Sequence, residues 1–216
     1  MAVLGVDGCP GGWVGALVSA GAVSWHAGTL AELLTLPADV VAVDIPLGLP
    51  SGLDRRVCDL QAAARLGAQR SSVFPAPPRA VLAARDHAEA SRLSRAAGSV
   101  GVSLQTWNIV PKIREADVLR DRRLLEVHPE VSFRELCAGG PALPSKKLPA
   151  GRAARLTALR GWLDVDLPSP RPARAAADDC LDALVCAWTA DRWLARRALV
   201  LGGEVDQTGR VMQIVI

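Results

Sequence analysis

Apolar and polar positions alternate in short blocks over the first fifty residues, which is the spacing of β-strands. Apolar runs cover residues 3–7, 13–19 and 22–28, and glycine-rich turns separate them. Short turns between consecutive strands predict an antiparallel meander. The next run, residues 40–45, is almost continuously apolar, which is typical of a strand buried at the centre of a sheet.

The rest of the chain has mainly helical spacing. Helices are predicted over residues 30–36, 55–66, 78–97, 107–120, 131–137, 150–162 and 178–196. Strands are predicted over residues 124–128, 198–201 and 210–215. Thr29 and Glu32 form a capping-box pattern at the start of the first helix. This order of elements predicts a mixed α/β sheet in a single domain over residues 1–216.

Composition narrows the class of protein. The chain has 216 residues, half of them hydrophobic, and a formal net charge of +3, which neither requires nor excludes a nucleic-acid partner. No apolar stretch approaches the roughly 20 residues that cross a bilayer, and the N-terminus does not resemble a signal peptide. The five cysteines include no Cys-x-x-Cys pair, which argues against a zinc site or a disulfide framework. We therefore expect a cytoplasmic protein without membrane partners.

Carboxylates lie at the ends of the predicted apolar elements. Asp7 ends the first strand, Asp44 ends the central strand, and the last helix begins with Asp178, Asp179 and Asp182 in one angular sector. Each has a simpler explanation: a hairpin turn for Asp7, a loop cap for Asp44, and the helix dipole for the first-turn pair. Together they favour a divalent cation that neutralises their repulsion, and oxygen ligands select Mg²⁺ or Mn²⁺.

Other polar groups could assist such a site. Glu126 and His128 share one face of their predicted strand, and a neutral histidine near a metal could orient water or shuttle a proton. A phosphodiester substrate would need basic partners, and ordinary solvated charge is the alternative for each candidate. The basic candidates for substrate binding are Arg70, Lys146, Lys147 and Arg155.

Five ordered blocks of this sequence resemble the signature of a known family. They are residues 5–13 (GVDGCPGGW), 44–50 (DIPLGLP), 72–77 (SVFPAP), 126–133 (EVHPEVSF) and 178–183 (DDCLDA). The family is that of predicted nucleases with a ribonuclease-H-like fold, also described as domain of unknown function 429. The resemblance runs almost from end to end.

The resemblance implies a ribonuclease-H-like five-stranded mixed sheet flanked by helices, with helical insertions. It implies a metal-dependent hydrolase that cleaves phosphodiester bonds in nucleic acid with one or two Mg²⁺ or Mn²⁺ ions. In that superfamily one acid lies on the first strand, another on the fourth, and one or two on the C-terminal helix. Asp7, Asp44 and the pair Asp179 and Asp182 match these positions, although many members carry Glu where this chain has Asp44.

Two other classes of function remain open from the sequence. A phosphotransferase of the actin and sugar-kinase type also begins with a strand, an Asp-Gly turn and a meander, but it normally duplicates that unit. A catalytically silent binding protein is the third class, and it would have no reason to retain the acids. A homodimer is the expected form of any oligomer, because two-fold dimers are the commonest soluble assemblies.

Overall fold

The structure is a computed structural model that describes residues 1–138 and 140–216. The chain divides into two compact units. The first unit consists of Met1–Asp44, Asp121–Leu199 and Val215–Ile216, and the second consists of Ile45–Arg120 and Val200–Ile214.

The described residues form seven strands and seven α-helices. The strands are β1 (Ala2–Cys9), β2 (Gly12–Ser19), β3 (Ala22–Gly28), β4 (Val40–Val43), β5 (Leu124–Glu126), β6 (Val200–Val205) and β7 (Val211–Val215). The helices are α1 (Leu30–Leu33), α2 (Val57–Leu66), α3 (His87–Ala96), α4 (Leu104–Val118), α5 (Pro129–Leu136), α6 (Pro149–Arg160) and α7 (Ala177–Leu194). None of these helices is both long and apolar enough to cross a bilayer.

The first unit is built on a five-stranded mixed sheet with the order β3-β2-β1-β4-β5. Strands β1, β2 and β3 are antiparallel neighbours, whereas β4 and β5 run parallel to β1. The predicted meander and the predicted mixed α/β sheet are therefore confirmed. Strand β4 is buried along its whole length between β1 and β5, as its continuous apolar run predicts, although it ends at Val43 rather than at residue 45.

Local chemistry explains the turns and helix starts of this unit. The turn between β2 and β3 places Ala20 and Gly21 at positive φ, which suits a two-residue hairpin. The predicted capping box is present, because Glu32 N donates to Thr29 Oγ1 at 3.2 Å and Thr29 N donates to Glu32 Oε2 at 2.7 Å. Helix α1 nevertheless ends at Leu33, three residues before the predicted end.

Helix α7 supplies the largest part of the core of the first unit. All its residues from 180 to 190 are buried, which includes the predicted apolar stripe of Leu181, Leu184, Val185 and Trp188. A helix that is buried on nearly all sides tolerates a charged residue only if that residue is paired or has a ligand. Asp182 is such a residue.

The second unit contains α2, α3, α4 and the β6–β7 hairpin. The single helix predicted over residues 78–97 is wrong: a 3₁₀ segment covers Arg79–Ala83, and α3 begins only at His87. The side chain of Asp86 accepts a hydrogen bond from Glu89 N at 2.8 Å and so starts a new helix. Helix α4 begins at Leu104, three residues before its predicted start, because Ser103 caps it.

Candidate functional site

Asp7 and Asp44 lie side by side where β1 and β4 meet. Val6 pairs with Val43 in the parallel ladder, and Asp44 N donates to Val6 O at 3.0 Å, so the ladder continues past the end of β4. The next residues, Asp7 and Asp44, therefore share the opposite face of the sheet from the valines, because side chains alternate along a strand. Asp7 is buried and Asp44 is half-buried.

Gly5 brings helix α7 onto the same face. A Cβ atom at Gly5 would lie 1.9 Å from Ala183 O and 2.2 Å from Ala187 N, so only glycine allows the backbone of α7 to lie so close to β1. Gly5 and Asp7 are two residues apart and face the same side of the sheet. Because Asp182 precedes Ala183 on the helix, this contact brings its carboxylate to the face that carries Asp7.

The three carboxylates act on one another electrostatically. Burial, and then the charges of Asp182 and Asp44, raise the pKa of Asp7 well above its usual value. Burial also raises the pKa of Asp44 to about 6 and that of Asp182 to about 7, with the charge of Lys146 opposing both shifts. Negative charge is therefore costly here, and a cation would relieve that cost.

Lys146 supplies one such cation. Its Nζ donates a hydrogen bond to Asp182 Oδ2 within a salt bridge. Burial works against the charge of Lys146, but Asp182 raises the pKa of the ammonium above its usual value, and Asp44 and Asp7 act in the same direction. The other oxygen, Asp182 Oδ1, is buried and accepts no hydrogen bond from any described residue. A buried carboxylate oxygen without a donor is the kind of group that a bound ligand satisfies.

The residues of this cluster fit a divalent metal in their chemistry but not in their present spacing. In the part of the chain that the structure describes, no three His, Cys, Asp or Glu side chains are placed so that they could hold one ion together. The chemistry of the donor set does fit, because Asp7, Asp44 and Asp182 offer only carboxylate oxygens, which Mg²⁺ and Mn²⁺ prefer. The unsatisfied Asp182 Oδ1 fits as well.

Asp179 lies at the edge of this cluster. Its Oδ2 accepts a hydrogen bond from Ala176 N at 2.8 Å, so the side chain caps the first turn of α7. Burial raises the pKa of Asp179, and its charge contributes to the raised pKa of Asp7. Asp178 lies 3.4 Å from Lys147 Nζ.

The two predicted site residues near β5, Glu126 and His128, lie in different environments in the structure. Glu126 pairs in register with Val43, so the pleat directs its side chain to the face opposite to Asp7. His128 is the N-cap residue of α5 and is half-buried. The carboxylate that acts on Asp44 and Asp182 from this region is Glu130, at the start of α5.

Glu130 was not among the predicted site residues. Both its oxygens accept hydrogen bonds from Arg155 Nη2, at 3.0 and 2.7 Å. The sequence signal was its place directly after Pro129, because an acidic residue beside an N-terminal proline is typical of a first helical turn.

The four basic candidates occupy different environments. Lys146 lies in the acidic cluster, whereas Lys147 is exposed next to Asp178. Arg155 is only 1% exposed, and its Nη1 donates to Pro144 O at 2.7 Å and to Gly151 O at 3.1 Å. This burial favours a role in holding Glu130 over contact with a substrate. Arg70 is exposed in a 3₁₀ segment of the second unit.

Comparison with known proteins gives one match. No curated protein and no solved structure matches the chain significantly. A family profile described as "Protein of unknown function (DUF429)" matches residues 5–207, a range that includes every carboxylate of the cluster. By this match over most of its length, the chain belongs to the DUF429 family.

Proposed function

We propose that this protein is a metal-dependent nuclease that hydrolyses phosphodiester bonds in nucleic acid. One observation carries the proposal: the carboxylates of Asp7, Asp44 and Asp182, which belong to three separate elements, lie near enough for Asp182 and Asp44 to raise the pKa of Asp7, and an oxygen of Asp182 has no hydrogen-bond donor among the described residues. A fold that needed no cation there would gain stability by replacing one of these acids with an apolar residue.

The topology supports a ribonuclease-H-like fold as part of the proposal. The sheet order β3-β2-β1-β4-β5, with a meander followed by two parallel strands, is what the family resemblance leads us to expect. Asp7 is on the first strand, Asp44 directly follows the fourth, and Asp182 is on the last helix. These are the three places where the resemblance implies catalytic acids.

Asp7, Asp44 and Asp182 would hold the metal after moving close enough to share one ion, because no three such side chains of the described residues are placed to do so now. Asp179 would lie at the edge of this set. Mg²⁺ or Mn²⁺ bound there would stabilise the charge that develops on phosphodiester oxygens during hydrolysis. Asp179 already accepts a hydrogen bond from the backbone, so its part is to add negative charge and to orient the start of α7.

The remaining residues position the site and face the substrate. Arg155 holds the Glu130 carboxylate with two hydrogen bonds, and the charge of Glu130 contributes to the raised pKa values of Asp44 and Asp182. Lys147 has a side chain that is 79% exposed, and its ammonium can meet a substrate phosphate at little desolvation cost. His128, at the start of α5, is the candidate for proton transfer.

The test is cleavage of labelled nucleic acid by the purified protein. Single-stranded, duplex, hybrid and junction substrates are incubated with Mg²⁺ or Mn²⁺, and EDTA should abolish cleavage. Asp7→Asn and Asp182→Asn should each lose activity by a factor of at least about 10². Asp164→Asn, which changes an exposed aspartate of the same unit, is the matched control and should keep full activity.

The same preparations separate the other classes of function. A phosphotransferase of the sugar-kinase type would turn over ATP without cutting any strand. Metal-dependent cleavage that persists in Asp7→Asn would point to a contaminating nuclease. If none of the four substrates is cut with either metal, the proposal fails.

A further inference from the structure

Lys146 bonds directly to the acidic cluster formed by Asp7, Asp44 and Asp182. Its ammonium is bonded to one oxygen of Asp182, whose side chain is only 3% exposed, and its charge also acts on Asp44 and Asp7. The Lys146 ammonium therefore already occupies one oxygen of Asp182, a carboxylate that the proposed metal would also need.

The backbone around Lys146 is held in place by helix α6. Leu148 N donates to Ser145 O at 3.0 Å, which closes a turn around Lys146. Arg152 Nη1 donates to Lys147 O at 2.9 Å and to Lys146 O at 3.3 Å. Gly151 lets the turn lie against α6, because a Cβ there would be 2.0 Å from Ser145 O. The position of Lys146 is therefore built into the fold and is not that of a free surface chain.

We propose that Lys146 is the resident counter-ion of the metal-free site and that a divalent cation must displace its ammonium from Asp182 in order to bind. This inference rests on the metal site of the proposed function, and it adds that Lys146 limits the affinity of that site for metal. An ammonium and a divalent ion on one carboxylate repel each other, and in a buried site water screens that repulsion poorly. Lys146 thus stabilises the empty site and weakens metal binding.

Two substitutions at neighbouring positions test whether Lys146 weakens metal binding. After treatment with EDTA and desalting, the wild type, Lys146→Met and Lys147→Met are titrated with Mn²⁺ by calorimetry, and their melting temperatures are measured with and without Mn²⁺. Lys146→Met should melt at a lower temperature without metal and bind Mn²⁺ on the order of tenfold more tightly, the size of a typical coupling between two sites. Lys147→Met, whose ammonium is exposed beside Asp178, should match the wild type in both measurements.

A second measurement uses only the wild-type protein, in case Lys146→Met does not fold. An amine-reactive ester labels lysines, and mass spectrometry compares Lys146 with Lys147. Mn²⁺ should increase labelling of Lys146 several-fold, because displacement frees its nitrogen from Asp182, and it should leave Lys147 unchanged.

The outcomes distinguish this inference from the proposed function. If Mn²⁺ binds the wild type and Lys146→Met equally, or leaves the labelling of Lys146 unchanged, the inference is overturned while the metal site stands. Tighter binding by Lys146→Met in a protein that cuts no nucleic acid would support the inference and refute the nuclease. If Mn²⁺ binds neither protein, both proposals are overturned.

Discussion

The contact between β1 and α7 depends on the missing side chain of Gly5, so Gly5→Ala is a direct test of how the site is assembled. The new Cβ would lie 1.9 Å from Ala183 O, whereas ordinary contacts of a Cβ begin near 3.4 Å. Helix α7 would therefore have to move away from β1 by about 1.5 Å, because backbone atoms cannot rotate out of the way as a side chain can. Overpacking of this kind costs about 1–3 kcal/mol, and we expect the upper end of that range here.

That cost translates into two measurements. In a protein of this length, about 3 kcal/mol lowers the melting temperature by roughly 6–12 °C, which thermal unfolding followed by circular dichroism would detect. The displaced helix also carries Asp182 away from Asp7. A misplacement of about 1 Å in a reacting group can cost on the order of 10²-fold in rate, so cleavage at a temperature where the variant is folded should fall by a similar factor.

The matched control is Gly161→Ala at the end of α6. Gly161 has a right-handed helical φ of −68°, and a Cβ there would lie 3.2 Å from Ala158 O. That neighbour has to move by only a few tenths of an ångström, so alanine should change the melting temperature by less than about 2 °C. If Gly5→Ala melts within the same narrow range, the close approach of α7 to β1 does not exist in solution and the reasoning is refuted.

Three further predictions follow from the charges of the first unit. Asp7→Asn should raise the melting temperature of the metal-free protein by roughly 2–4 °C, because it removes a carboxyl group whose ionisation is opposed by burial and by the charges of Asp182 and Asp44; an unchanged or lower value contradicts this. In EDTA, the free energy of unfolding measured with urea should fall as the pH rises from 5 to 7.5. The folded state raises the pKa of Asp44 to about 6 and that of Asp182 to about 7, so it favours the protonated forms that are lost over this range. Asp182→Asn should make the free energy of unfolding depend less on pH. Arg155→Met should lower the free energy of unfolding by about 3 kcal/mol because it leaves Glu130 without its partner, and adding Glu130→Gln to it should restore part of the loss.

The sheet could be predicted because its signals are local. The strands of the meander are separated by short glycine turns, and a continuous apolar run such as Val40–Val43 has few alternatives to a central strand. The acidic residues of the cluster were also predictable, because Asp7, Asp44 and Asp182 interrupt apolar patterns at element ends or within a buried helix.

Features that depend on contacts distant in sequence could not be predicted. Asp182 meets Lys146 across 36 positions, and the turn that carries Lys146 is placed by α6, so no local pattern reveals the pair. Glu126 is directed away from Asp7 by its register with Val43, which only the assembled sheet defines. The helix predicted over residues 78–97 is broken by a local signal, the N-cap at Asp86. The apolar periodicity of residues 78–97 continues across that position, so it predicted one helix.

Two buried acids among the described residues, Asp206 and Asp182, differ in how their carboxylate oxygens are satisfied. In the second unit, burial works to raise the pKa of Asp206, but hydrogen bonds from Thr208, Leu49 N and Arg210 N hold it below its usual range. Both its oxygens have donors, so Asp206 needs no further ligand. Asp182 is also buried, yet one of its oxygens has no donor among the described residues, and burial raises its pKa to about 7 despite the salt bridge. A fold under selection for stability alone would satisfy both carboxylates in the same way. The one left unsatisfied beside Asp7 and Asp44 is where we expect the ligand to bind.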